Sequence, residues 1–356
     1  MKKHIVLALF VVLWLSCSKD KPVKPDPIGN TFLPSSSNDI SLNFVTFNMA
    51  VGFDAEQMLT KDLSNPKVVL TEGRYLYDQI KQSKPRERVR SLADSLAHTV
   101  PDIICLQEVL YLVNHQNSDT VDFMKILLSR LDSLGGPHYT MIHQIINPLT
   151  IKVTVTDTTK PDSIDIFFNE GNVILYKNDV LTLEAADSLS YFFGIRNLKY
   201  LNSSYISILR GAVYAKFKTD SGTLVNVFNT HLEVESVPLL GMNQAYELRD
   251  YISSKSLDKE AVVVMGDFND QPEGKSVKVI KDQNFIDTYD NKAGFTCCFE
   301  FSDVSIQPTQ RIDYILAKSI VSINYAFIGL NETFRSDNTD YRISDHAGVF
   351  AGLTFH

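Results

Sequence analysis

Residues 262–272 read VVVMGDFNDQP. An apolar run ends abruptly in a glycine, two acids, two amides and a proline. The apolar half is a buried strand. Asp, Asn, Gly and Pro also turn a chain for local backbone reasons, so the polar half taken alone has two readings. It is a turn, or it is a strand tip that delivers Asp267 and Asn269 to a site. Residues two apart in an extended strand point to one side, and strands hold side-chain geometry more tightly than loops do. The other strand ends of the chain decide between the two readings.

The pattern recurs on both sides. TFN at 46–48 closes an apolar run at Asn48, and PDIICLQEV at 101–109 closes one near Glu108. NTHLE at 229–233 carries His231, RIDYI at 311–315 carries Asp313, and SDHAGVF at 344–350 opens a strand with Asp345 and His346. One polar strand end is a turn. Six of them, each holding a carboxylate, a carboxamide or an imidazole, form a constellation if the strands share a sheet edge.

The residue types fit one chemistry. Asn48, Glu108 and Asp345 offer oxygen to a hard divalent cation such as Mg²⁺ or Mn²⁺, which keeps several of its waters. The chain has no HExxH and no Cys/His cluster to suggest zinc. It has no GxSxG elbow and no P-loop. His231 and His346, on separate segments, suit general acid–base work and phosphate contact. Metal-assisted attack of water on a phosphate ester needs a cation, a base and donors to the non-bridging oxygens. Each residue alone also has a plainer reading. Asn48 is a turn former, His231 a satisfied structural histidine, and Asp313 an edge-strand charge. Glu108 resists that reading, because acids rarely sit unpaired at buried positions. Arg210, ahead of the strand GAVYAKFK, divides between a phosphate contact and an ordinary solvated arginine.

Hydrophobic residues make up 44% of the 356 and charged ones 21%, which is globular composition with ample core. The net charge of −8 argues against sequence-blind binding to a polyanion, which relies on Lys and Arg against phosphates. An acidic substrate can still be held through a cation, whose charge dominates locally. Residues 1–16 carry two lysines and an apolar run too short to cross a membrane, the pattern of an export signal. Cys17 follows the small Ser16 and is expected to be the lipidated first residue of a bacterial lipoprotein. That would tie the chain to a membrane, the outer rather than the inner. Residues 17–38, rich in Pro, Ser, Lys and Asp, read as an extended tether.

From 39 to 356 the chain reads as one domain, expected to be monomeric. Helical spacing marks 86–100, 121–136 and 244–257. Strands outnumber helices and alternate with them only locally, which predicts an α+β fold, a two-layer β-sandwich flanked by helices. Residues 54–83 and 151–170 read as long loops at the mouth of the site, where substrate choice would reside. Cys105 lies within an apolar strand as a small core residue. Cys297 and Cys298 lack zinc spacing, and a bridge from Cys105 to either stays open in an exported chain.

The ordered set TFN, PDIICLQEV, GNVILY, NTHLE, GDFND, RIDYI and SDHAGVF resembles the endonuclease/exonuclease/phosphatase superfamily, the fold of pancreatic-type deoxyribonuclease. The resemblance implies a four-layer α/β/β/α sandwich and a Mg²⁺-dependent hydrolase of phosphate esters. The ester could belong to a nucleic acid, a phospholipid head group or a small molecule. It implies Glu108 as main cation ligand with Asn48 beside it, and His231 as donor to the phosphate or leaving group. Asp267 would orient or deprotonate the attacking water, and Asn269 would donate to a phosphate oxygen. Asp313 would orient a histidine or help the metal. Asp345 would lie near the metal or hold the imidazole, with His346 on the phosphate. The competing reading is a non-catalytic, surface-exposed binding lipoprotein on the same scaffold. The completeness of the residue set argues against it.

Overall fold

Twelve strands build a sandwich of two six-stranded sheets in this computed structural model: β1 (Ile40–Asn48), β2 (Ile103–Gln107), β3 (Tyr139–Ile146), β4 (Gly171–Lys177), β5 (Leu181–Ser190), β6 (Gly211–Thr219), β7 (Leu224–His231), β8 (Ala261–Asp267), β9 (Ile286–Asp287), β10 (Asp313–Lys318), β11 (Ser322–Ile328) and β12 (Gly348–Phe355). The structure describes residues 39–53, 61–115, 117–146, 151–155, 164–200, 204–208, 210–234, 239–257, 260–289 and 294–355. The expected leader, Cys17 and the tether lie outside them. The first sheet runs β11-β12-β1-β2-β4-β3 and the second β9-β10-β8-β7-β6-β5.

Each sheet has one parallel pair near its centre, β1 with β2 and β7 with β8, and is otherwise antiparallel. A parallel pair requires a crossover, usually helical. Helices α1 (Pro66–Gln82) and α2 (Pro85–Thr99) make the first crossover, and α4 (Leu240–Lys255) makes the second. They are joined by α3 (Phe123–Ser133) and α5 (Lys275–Lys281). Local signals set their ends. Asn65 and Asp122 cap α1 and α3 with side-chain oxygens, α1 and α2 begin with proline, and Gly135 leaves α3 at φ 65°.

Three apolar layers follow. Phe44, Cys105, Val213, Val227, Val263, Ile315 and Leu353 fill the space between the sheets. Leu76, Leu92, Leu96 and Leu127 cover the outer face of the first sheet, and Ala245, Leu248, Val277 and Ile280 that of the second. This is the expected α/β/β/α sandwich. Burial of Leu, Val and Phe side chains at about 1.5–3 kcal/mol each supplies its cohesion.

Two expectations need correction. The stretch 54–83 is not a loop throughout, because residues 66–82 form α1. The stretch 151–170 contains the strands Ile151–Val155 and Ile164–Asn169, which join Tyr111–Asn114 and Asp119–Asp122 in a four-stranded sheet. Val69, Leu76 and Ile80 bury one face of α1, and cross-strand pairing stabilises the second stretch.

Candidate active site

Sheet register brings the polar strand ends together. His231 on β7 pairs with Asp267 on β8, and Asp267 pairs with Asp313 on β10. In the other sheet Asn48 pairs with Gln107, which sets Glu108 one residue beyond. The segment before β12 reaches across, with Ser344 Oγ donating to the Asn48 carbonyl at 2.8 Å. A cleft of about 770 Å³ opens here, lined by Glu108, His231, Asp267, Asn269, Asp345 and His346. Asn48 and Asp313 are buried directly behind. All eight expected residues therefore meet at one edge of the sandwich.

The backbone around them is unusual. Ala50, Glu108, Asn269 and Cys298 take left-handed φ of 54°, 53°, 49° and 81°. Non-glycine residues adopt such angles at a cost, and they concentrate where surrounding structure dictates side-chain direction. Gly266 has φ 143°, and a Cβ there would fall 1.9 Å from the Thr230 carbonyl oxygen. Only glycine lets β8 lie this close to β7, one residue before Asp267.

Asp267 is the hub. Its Oδ2 accepts from Asn48 Nδ2 at 3.0 Å, and lies 3.6 Å from His231 Nε2 and 3.9 Å from His346 Nε2. Its Oδ1 accepts from the Asn269 amide at 2.8 Å. Asn269 Nδ2 donates to the Leu232 carbonyl at 2.9 Å and is 3.1 Å from His231 Nε2. His346 Nδ1 meets Asp313 Oδ2 at 2.9 Å. Asn48 Nδ2 also donates to Glu108 Oε1 at 3.0 Å, while its Oδ1 accepts from the Ala50 amide at 2.9 Å. The Asn48 carboxamide thus turns its oxygen to the Ala50 amide, while its nitrogen ties Glu108 to Asp267.

The two histidines differ in charge. Burial, then the neighbouring Arg210 charge, then His346 push the His231 imidazole well below the usual range, so it is neutral. Arg210 Nη1 lies 3.1 Å from His231 Nδ1. Nitrogen donors face both ring nitrogens, Arg210 at Nδ1 and the Asn269 carboxamide at Nε2. Burial alone would depress His346. The Asp313 charge and hydrogen bond, then Asp267 and Asp345, instead raise it well above the usual range, so it is a cation. Burial and then the Asp313 charge push the Asp267 carboxyl up to about 7.

Two groups here could take a cation. Asp267, Asp313 and His346 present ligand atoms within 4.8 Å of one another. In that group all three residues are buried, and His346 Nδ1 is already engaged with Asp313 Oδ2 at 2.9 Å. Glu108 and Asp345 supply only oxygen. Asp345 is 39% exposed at its side chain, where a partly hydrated ion can be reached. A hard cation fits Glu108 and Asp345 on donor chemistry.

Some residues escaped the reading of the sequence. Arg210 is not solvated. It lies between Glu170 and Glu233 with N–O distances of 3.4 and 3.6 Å. Arg88 is fully buried and donates to the carbonyls of Met49, Ala50 and Ile343, with its guanidinium 4.6 Å from the Phe301 ring. It clamps the turns that follow Asn48 and precede Ser344. Its signal was an arginine on the apolar stripe of α2, next to Val89 and one turn from Leu92. Beneath the site, Gln107 donates to Asn229 Oδ1 at 2.7 Å and joins the two sheets through a buried amide pair. Neither bridge from Cys105 forms. Cys105 is a free, buried core thiol, and Cys297 is joined to its neighbour Cys298. That pair sits against the site, since Cys297 bridges to His346 and the Cys298 amide donates to the Asp345 carbonyl at 3.0 Å.

Solved structures with the same architecture exist. One is an endonuclease/exonuclease/phosphatase family protein from Bacteroides thetaiotaomicron, at 18% identity and TM-score 0.56, covering 89% of this chain and 99% of that one. A mannosyl-6-phosphatase from Bacteroides thetaiotaomicron VPI-5482 aligns at 16% identity and TM-score 0.55, covering 88% and 99%. The human Nocturnin catalytic domain, solved with bound sulfate, aligns at 15% identity and TM-score 0.53, covering 93% and 97%. At these identities the likeness speaks for the fold. No curated protein is similar enough to count as a match. The family description Endonuclease/Exonuclease/phosphatase matches residues 45–346, from the strand before Asn48 to His346, and the chain belongs to that family.

Proposed function

We propose that this protein is a Mg²⁺-dependent hydrolase of phosphate esters in which water attacks phosphorus. The family's proteins hydrolyse phosphoesters and are generally dependent on divalent metals. The observation that carries the reading is the arrangement around Asp267. A carboxylate with a pKa near 7 lies between a neutral imidazole and a protonated one. A base is most effective when its pKa is close to working pH.

Asp267 takes the proton of the attacking water. Asn269 and His231 donate to non-bridging phosphate oxygens. His346, held cationic by Asp313, presents its Nε2 proton to the negative charge that develops as the ester P–O bond breaks and the alcohol leaves. Preorganised donors of this kind stabilise the transition state most effectively where water is excluded. Glu108 and Asp345 would hold the cation, with Asn48 orienting Glu108. When bound, the cation neutralises phosphate charge. The test is hydrolysis of p-nitrophenyl phosphate and bis-p-nitrophenyl phosphate with Mg²⁺ and with chelator. Single substitutions His231→Ala, His346→Ala and Asp267→Ala should each cost about 10²-fold or more. Glu108→Gln should raise the Mg²⁺ concentration needed for half-maximal rate. Wild-type rates and Mg²⁺ dependence in these variants would refute the assignment.

The same reading includes export, lipidation at Cys17, attachment to the outer membrane and a monomeric catalytic domain. Support comes from the sequence of residues 1–38. Mass analysis of the native chain should find an acylated Cys17 at its N-terminus. An intact leader, or a soluble chain starting elsewhere, would refute it.

A further inference from the structure

Resting on that reading of the site, we infer that the substrate is a small ester carrying a single phosphate on a neutral, hydroxyl-rich group such as a sugar. The charges of the cleft point there. Six carboxylates line it: Glu108, Glu170, Glu233, Asp267, Glu300 and Asp345. Its arginine and lysine, Arg210 and Lys84, are both engaged, Arg210 with Glu170 and Glu233 and Lys84 with Asp337. A divalent cation at Glu108 and Asp345 can hold one phosphate. A second phosphate would face uncompensated carboxylates, and like charges repel most strongly where water is partly excluded. A nucleic-acid strand would need several basic side chains along its backbone, and the described lining supplies none beyond these two.

Part of the lining is neutral. Helix α1 presents Tyr75, Gln79 and Gln82 to the cleft. Their spacing of four and three residues places them on one helical face. Tyr75 is 42% exposed, and none of the three side chains has a hydrogen-bond partner among the described residues. They line the cleft with donors and acceptors that no described residue engages. A carboxamide both donates and accepts, as a hydroxyl does, and an aromatic face accepts the apolar face of a ring. At about 770 Å³ the cleft has the size of a small-molecule site.

The experiment compares kcat/KM for glucose 6-phosphate, fructose 1,6-bisphosphate and a single-stranded oligonucleotide, with p-nitrophenyl phosphate as reference, all with Mg²⁺. The monophosphate should exceed the other two natural esters by at least about tenfold. Gln79→Ala and Gln82→Ala should each raise KM for glucose 6-phosphate by about three- to tenfold, the scale of one lost hydrogen bond. They should raise it less for p-nitrophenyl phosphate, whose ring has no hydroxyl groups. Gln82→Lys should move preference toward the bisphosphate. Preference of the wild-type protein for the bisphosphate or oligonucleotide, or equal effects of the glutamine variants on both monoesters, would overturn the inference. If p-nitrophenyl phosphate and every other ester resist hydrolysis, the hydrolase reading fails. Calorimetric titration of the Mg²⁺-loaded protein with the same three natural esters then decides the inference separately: tighter binding of the monophosphate sustains it, and tighter binding of either polyanion overturns it.

Discussion

Replacing Asp313 with asparagine removes the carboxylate 2.9 Å from His346 Nδ1 while keeping its shape. Two titrations should move, and their signs follow from the geometry. Asp313 is the main charge raising His346, through both Coulomb attraction and a hydrogen bond. A hydrogen bond to a charged group contributes about 1.5–3 kcal/mol. Losing it, together with the charge it carries, should lower the His346 pKa. Asp313 is also the second cause, after burial, of the rise of Asp267 to about 7. Removing that like charge should lower Asp267 as well. The base must be deprotonated and the imidazolium protonated, so Asp267 sets the acid limb of the rate profile and His346 the alkaline limb. Both should shift to lower pH, and the optimum should move with them. The assay is kcat/KM for p-nitrophenyl phosphate against pH at saturating Mg²⁺, with circular dichroism to confirm folding. An alkaline limb that stays in place or moves upward would refute the claim that Asp313 holds His346 as a cation.

Three further outcomes are expected. Arg88→Met should leave the buried carbonyls of Met49, Ala50 and Ile343 without their donor, costing about 3 kcal/mol or more and lowering Tm by several degrees; an unchanged melting curve would remove the clamp from the account. Burial would raise the Asp119 carboxyl, but bonds from Lys81, Arg86 and Tyr77 hold it below its usual value. Its contribution is therefore present above the unfolded pKa of about 3.9 and lost as pH falls through the folded value, so Asp119→Asn should cost about 1 kcal/mol at neutral pH and nothing in strong acid, read by urea unfolding at the two pH values. The unreduced peptide carrying Cys297 and Cys298 should be two hydrogens lighter than the reduced one, and reduction should lower kcat/KM because this pair holds Asp345 and His346 through backbone contacts; equal rates before and after reduction would separate the bond from the site.

The chain's local chemistry already determined a great deal. Apolar runs closed by Asn48, Glu108, His231 and Asp267, and one opened by Asp313, announced strands with polar tips, because burial and strand period are written in neighbouring residues. Helical spacing did the same for α2, α3 and α4. Within 54–83, the spacing of Val69, Leu76 and Ile80 behind Pro66 carried a helix signal that Thr71 and Gly73 diluted. Alternating Ile164, Ile166 and Phe168 carried a strand signal, but its partner Tyr111–Asn114 lies some fifty residues away. Only the tertiary structure decided that Asn48 turns its nitrogen, not its oxygen, toward the acids, because Ala50 claims the oxygen. Only it paired Cys297 with Cys298 rather than with Cys105, which the sandwich encloses. And only it decided which histidine carries the charge. His231 and His346 have the same intrinsic chemistry, and one meets Arg210 while the other meets Asp313. A pKa is set by what stands within a few ångströms, and those neighbours are fixed by strand register rather than by adjacency in the chain.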